Sequence, residues 1–302
     1  MQQKLRDLKT RPIMGLRDAL PGMTVFPDIT QVLPAEDVAS HGKHFMPLLS
    51  LDLDMFDDAW SGRIHVLDPC EPYDGCVGDF AGDFTNDLLK PNWLAFRLDE
   101  RNRYHLLGDW RYFLLEQPAT DSFAEKNWDW SAVEHLADDL REVGVTDPGF
   151  DVFSNAARES KYSMRDCLLL HYELSHASHA AARKKYLEHG WDMNLYGDDF
   201  LRPHEPFFQP RAKNEYPESG VRHVLEYAGG FAEYGNWSSS GDDPLIDTGN
   251  RGEVIVQLPG ENKQFSHIAT VHADNFGTRH PCEILVFYEP DSRTVLHTFD
   301  WS

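Results

Sequence analysis

Residues 47–54 read PLLSLDLD, and this stretch decides the class of fold. Its leucines at 49, 51 and 53 alternate with Ser50, Asp52 and Asp54. Successive side chains of a strand point to opposite faces, so an alternation with a period of two is typical of a half-buried β-strand. A second apolar run, GRIHVL at 62–67, follows a short acidic gap and predicts a partner strand.

Comparable runs lie toward both ends of the chain. Each is rich in β-branched, aromatic or leucine residues and is bounded by Gly, Pro, Asp or Asn, which predicts short strands. Toward the N-terminus, the predicted strands are Met23–Phe26, Pro47–Leu53, Arg63–Leu67, Trp93–Leu98, Arg103–Leu107 and Arg111–Leu115. Toward the C-terminus, they are Glu253–Leu258, Ser266–His272, Glu283–Tyr288 and Val295–Phe299.

The centre of the chain has helical patterns instead. Ser131 to Glu134 form a capping box, followed by apolar residues at helical spacing until Gly144. A longer helix is predicted from about Ser160 to Glu188, ended by Gly190. The predicted fold is therefore α+β, with a mixed or antiparallel sheet built from both chain ends and the helices inserted between them.

The domain organisation follows from the same patterns. We expect a single α+β domain over residues 1–302, β-rich at 20–120, helical at 130–190, irregular at 192–250 and β-rich at 253–300. Both β-rich parts contain a strand-gap-strand unit, at residues 47–72 and 253–294. An internal duplication and a chance similarity of hairpins both explain these two units.

Parts of these β-rich regions resemble a known family. The strand around MPLLSLDL, the SGRIHVL run after it, the later VIVQL segment at 254–258 and the closing strand at 284–288 are similar to the sheet of the YwqG-like family of uncharacterised bacterial proteins. The family's Gly-Tyr-Pro segment has no clean counterpart, and GGFAE at 229–233 is the nearest stretch. The resemblance implies a mixed α+β fold and carries no established activity with it.

The chain is strongly acidic, with 50 Asp and Glu against 28 Lys and Arg and a formal net charge of −22. Such a charge repels nucleic-acid phosphates and anionic membranes, and it attracts basic partners. No apolar run is long enough for a transmembrane helix, and the N-terminus lacks the apolar core of a secretory signal. Four cysteines in a chain of this length are too few for a disulfide scaffold, so we expect a cytoplasmic protein.

The segment from Tyr73 to Asp87 is the candidate binding surface. Its carboxylates suit a basic protein, and its aromatic residues suit the apolar centre of an interface. The predicted partner-binding residues are Tyr73, Asp74, Asp79, Phe80, Asp83, Phe84 and Asp87. Calcium binding is an alternative, although the aspartate spacing matches no known calcium loop. The favoured function is that of a bacterial immunity protein that neutralises a basic toxin.

The densest histidine cluster, HYELSHASH at 171–179, suggests a metal site. On a helix its three histidines point in different directions, and only Glu173 and His176, at positions i and i+3, could share a metal. No catalytic motif is present, and no cofactor is expected. A metal-dependent hydrolase that uses the carboxylate or histidine clusters is the alternative function.

Overall fold

The structure is a computed structural model and describes residues 13–16, 18–71, 76–118, 164–190, 223–230, 232–233, 235–238, 245–247, 253–257, 263–278 and 282–301. The helices in these ranges are α1 (Ile29–Val32), α2 (Ala35–His41) and α3 (Met164–His189). The strands are β1 (Ile13–Leu16), β2 (Met23–Val25), β3 (Phe45–Asp52), β4 (Arg63–Pro69), β5 (Trp93–Leu98), β6 (Tyr104–Leu106), β7 (Leu225–Ala228), β8 (Ala232–Glu233), β9 (Leu245–Asp247), β10 (Glu253–Gln257), β11 (Gln264–His272), β12 (Cys282–Glu289) and β13 (Thr294–Trp301).

Ten of these strands form a large antiparallel sheet. Its main path runs β1-β7-β11-β12-β13-β5-β6, and β10 joins it at β11, together with β8 and β9. The pairing of β13 with β5 sets Leu296 opposite Ala95 and so joins the two ends of the chain in one sheet. The predicted α+β class, with a sheet built from both chain ends, is confirmed.

The second sheet contains β2, β3 and β4, with Ser50 directly opposite His65. The alternation at 47–54 predicts a half-buried strand, but β3 is buried on both faces from Phe45 to Leu51. Ser50 is only 1% exposed, and its hydroxyl lies 2.7 Å from Nδ1 of His65. This hydrogen bond satisfies the Ser50 hydroxyl, so the face of β3 that carries Ser50 can be buried as well.

Both sheets and α3 contribute to one hydrophobic core, which includes Leu49, Val286 and Leu168. Alternate residues of β5 point to opposite faces of the large sheet. Phe96 joins the main core, whereas Trp93 packs in a smaller cluster on the other face. The large sheet is therefore buried on both faces along β5.

The long predicted helix is present as α3, which buries Leu168 and Leu174. Gly190 follows it with a φ of +66°, a left-handed conformation that commonly ends a helix. The helix predicted after Ser131 lies outside the described residues. Within the described ranges, no helix has the length and apolarity needed to cross a bilayer.

Three local predictions differ from the structure. Arg111–Leu115 forms short 3₁₀ turns and not a strand, because the Asp109 carboxylate accepts from the Arg111 amide and starts a turn. Strands β7 to β9 lie in the segment predicted to be irregular, since pairing with β1, β10 and β11 satisfies their backbones. The two units of the suggested duplication also differ: β3 pairs directly with β4, whereas β11 separates β10 from β12.

Candidate functional site

In the acidic segment from Tyr73 to Asp87, the described part starts at Cys76 with a turn that holds one of the segment's own carboxylates. Asp79 accepts hydrogen bonds from the Cys76 amide at 2.7 Å and from Cys76 Sγ at 2.9 Å. Asp83 and Asp87 follow it and are exposed. Asp79 is exposed too, so these three predicted carboxylates face solvent. Tyr73 and Asp74 lie outside the described residues.

Residues 109–117 hold this segment against the core. The Tyr112 hydroxyl lies 3.2 Å from the carbonyl oxygens of both Val77 and Lys90. Gln117 Nε2 donates to the Phe80 carbonyl at 2.8 Å. Gly78, with a φ of +84°, allows this approach, because a Cβ there would lie 2.0 Å from the Tyr112 oxygen. The acidic segment therefore rests on a fixed base.

The two predicted aromatic residues of the segment have different surroundings. Phe80 is half-buried and packs against the main core. Phe84 is also half-buried, and the Arg111 guanidinium lies 4.4 Å above its ring. Arg111 in turn forms an ion pair with Asp109. Phe80 and Phe84 thus each keep part of the ring exposed, beside the three outward carboxylates.

A cluster of titratable groups surrounds Glu116, at the other end of the same supporting stretch. Its Oε1 lies 2.8 Å from Nε2 of His44, 2.8 Å from Nζ of Lys43 and 3.5 Å from Nδ1 of His41. His41 ends α2, and Lys43 and His44 lie in the 3₁₀ turn that follows it. The end of α2 and this turn together bring three basic side chains within 3.5 Å of one carboxylate oxygen.

Aromatic rings fix both imidazoles of this cluster. His41 stacks on Trp110 with ring centroids 4.0 Å apart and planes 7° from parallel. His44 stacks on Phe113 at 4.4 Å and 18°. Trp110 and Phe113 come from the stretch that also supports the acidic segment, so the two features share one structural base.

A buried chain of hydrogen bonds continues from His44 into the core. His44 Nδ1 lies 3.0 Å from the Tyr172 hydroxyl, which lies 3.0 Å from Oε2 of Glu71. Oε1 of Glu71 accepts from the Leu114 amide at 2.8 Å. Three polar contacts thus link Glu71, Tyr172, His44 and Glu116.

The environment sets the protonation of these groups. Burial lowers the pKa of His44 to about 4, so its imidazole is neutral at pH 7. The hydrogen bond from His44 lowers the pKa of Glu116 to about 2, so this carboxylate is ionised. Burial raises the pKa of Tyr172 well above its usual value. His44 therefore donates its Nε2–H to Glu116, and the Tyr172 hydroxyl donates to Oε2 of Glu71.

An open cleft of about 760 Å³ lies over the small sheet. Its lining mixes carboxylates and guanidinium groups, including Asp54, Asp58 and Arg101. Ser50 and His65 also line it, and His65 Nε2 donates to the Asn102 carbonyl at 2.8 Å. Nδ1 of His65 therefore accepts from Ser50, and the pair links β3 to β4 beneath the cleft.

Protein-family models, curated proteins and solved structures offer no match to this chain. The resemblance to the YwqG-like family stays a prediction. The site is therefore interpreted from its own chemistry.

The metal-binding pair predicted on α3 gains no third donor among the described residues. Glu173 is exposed, and His176 Nε2 donates to the Lys43 carbonyl at 2.6 Å. Within the described ranges, the donor group that the fold does assemble is His41, His44 and Glu116, with one ligand atom of each within 4.8 Å of the others. This group of donors was not predicted from the sequence. The spacing of His41 and His44 at i and i+3 was a signal, but nothing local points to Glu116.

Proposed function

We propose that this chain is a cytoplasmic acidic protein that binds a basic protein partner, and that it serves in bacteria as an immunity protein against a basic toxin. The observation that carries the proposal is the acidic segment, which presents Asp79, Asp83 and Asp87 to solvent while its backbone is bonded to residues 109–117. A net charge of −22 extends the same field over the molecule.

Fixed carboxylates favour fast and selective association. A complementary field steers a basic partner toward the acidic surface and raises the association rate. The bonds from Tyr112 and Gln117 hold the segment in place before binding, so less conformational entropy is lost on association. Phe80 and Phe84 supply apolar area beside the carboxylates, which suits an interface with a polar rim.

The test begins with capture of the partner. Immobilised full-length protein is exposed to an extract of its native host, and a retained basic protein is identified by mass spectrometry. Surface plasmon resonance then measures its association rate at about 50 and about 150 mM salt, between which the Debye length shortens to about 8 Å. We expect the association rate to fall steeply as the salt concentration rises. At low salt, the double variant Asp83→Asn, Asp87→Asn should associate more slowly than the wild type.

A matched variant separates local steering from total charge. Glu100→Gln with Asp291→Asn removes the same two charges from exposed positions outside the acidic segment. This control should lower the association rate less than the double variant at Asp83 and Asp87 does. The dissociation rates of the wild type and both variants should stay similar. Equal effects of the two variants, or an association rate that ignores salt, would refute the proposal.

A further inference from the structure

We propose that His41, His44 and Glu116 form a binding site for a divalent transition metal, with zinc as the best match to the donors. This inference is independent of the proposed partner. Two imidazoles and one carboxylate are a donor set that zinc takes in sites with three protein ligands. The three residues come from two separate parts of the chain that the fold brings together.

The distances suit a small ion. Zinc binds nitrogen and oxygen at about 2.0–2.2 Å, so two ligand atoms in a tetrahedral site lie about 3.3 Å apart. Oε1 of Glu116 lies 2.8 Å from His44 Nε2 and 3.5 Å from His41 Nδ1. These two separations lie on either side of the required value, and the ligand atoms of all three residues lie within 4.8 Å of one another, so side-chain shifts that bring the two histidines together would complete the geometry.

His41 supplies a second, independent observation. Its Nδ1 is buried, and among the described residues it makes no hydrogen bond; the Glu116 oxygen at 3.5 Å is the nearby acidic group. A buried ring nitrogen without a hydrogen bond is unusual and calls for an explanation. Stacking on Trp110 holds this nitrogen toward Glu116. A metal ion between His41 and Glu116 would satisfy it.

Outer groups orient the ligands as they do in known metal sites. A metal-binding histidine usually has its second ring nitrogen hydrogen-bonded, which fixes the ring. His44 has such a partner in the Tyr172 hydroxyl, supported by Glu71, and Phe113 packs on its ring. This arrangement leaves Nε2 of His44 directed at the Glu116 carboxylate.

Lys43 holds a positive charge at the same carboxylate. Its ammonium lies 2.8 Å from Oε1 of Glu116, and its side chain is 42% exposed. The side chain can therefore move into solvent when a metal ion arrives. Lys43 is then a competitor for the site, and its removal should strengthen metal binding.

The ligands are also accessible. The side chains of His41 and Glu116 are 20% and 22% exposed, so an ion can enter from solvent. Three protein ligands leave one position of a tetrahedral zinc ion for water or another small ligand.

The experiment uses metal-stripped full-length protein, with Zn²⁺ as the probe. Equilibrium dialysis followed by elemental analysis gives the stoichiometry and affinity, and Co²⁺ absorption reports the ligand geometry. We expect one ion per chain in the wild type. His41→Gln and Glu116→Gln should each weaken binding at least about tenfold, and Tyr172→Phe should weaken it by about 10–100-fold, as outer-shell changes do. Lys43→Gln should bind more tightly.

The control is His105→Gln, which changes an exposed histidine beside Asp99. It should leave the affinity unchanged. His41 and Glu116 are partly exposed, and circular dichroism verifies that their variants fold. The proposal is overturned if the wild type takes up no Zn²⁺, if His41→Gln and Glu116→Gln bind as the control does, or if Lys43→Gln binds more weakly than the wild type.

Discussion

The buried chain from Glu71 to Glu116 leads to a prediction about Glu71→Gln. In this chain Glu71 contacts Tyr172, which contacts His44, which contacts Glu116. The Tyr172 hydroxyl donates to Oε2 of Glu71 and the Leu114 amide donates to Oε1, so both carboxylate oxygens accept a hydrogen bond. A glutamine amide has nearly the same shape but only one acceptor oxygen, so one of these two donors would face its NH₂ group.

The expected magnitudes differ between two substitutions. Glu71→Gln should destabilise the protein by about 1–3 kcal/mol, since one buried donor loses its acceptor. Tyr172→Phe removes the hydroxyl that joins two fully buried groups, Glu71 and His44. Each loses this partner at a cost of about 1–3 kcal/mol, so Tyr172→Phe should be clearly the more destabilising change.

Urea unfolding at pH 7, followed by circular dichroism, measures both variants against the wild type. Equal slopes of free energy against urea would show that the same surface unfolds in each. A Glu71→Gln variant as stable as the wild type, or less stable than Tyr172→Phe, would refute this assignment of donors and acceptors.

Two further predictions concern stability. Burial holds the pKa values of five histidines at about 3 to 4, below the unfolded value, so the unfolded chain binds more protons below pH 6.5; these are His44, His65, His179, His267 and His297. The stability should therefore fall steeply between pH 6.5 and pH 4, and urea unfolding across that range that showed no loss would contradict the burial argument. Gly78→Ala should destabilise the protein by about 1–3 kcal/mol, because the new Cβ would meet the Tyr112 oxygen. The control is Gly82→Ala, which is also at positive φ but whose Cβ would have nothing within 4 Å. It should lower the free energy of unfolding less in the same assay.

Several elements could be predicted because their signal is local. The alternation at 47–54 predicts β3, and the apolar stripe from Leu168 to Leu174 predicts α3. These patterns report which side of an element is buried, and the side-chain periods of strand and helix follow from backbone geometry.

Local patterns failed where a distant or neighbouring contact decided the outcome. Arg111–Leu115 has the composition of a strand, but the Asp109 side chain starts a turn there. The polar face of β3 is covered because His65 lies opposite Ser50 and accepts a hydrogen bond from its hydroxyl. Neither contact can be inferred from an apolar period.

The sequence by itself determined the α+β class, the joining of both chain ends in β-structure, the long helix and the acidic exposed segment. Only the tertiary structure decided the histidine cluster, because His44 meets Glu116 across 72 residues of chain and Tyr172 across 128. Hydrophobic periodicity specifies a face and not a partner. The packing of α3 and residues 109–117 around the turn after α2 determines which polar groups are in contact.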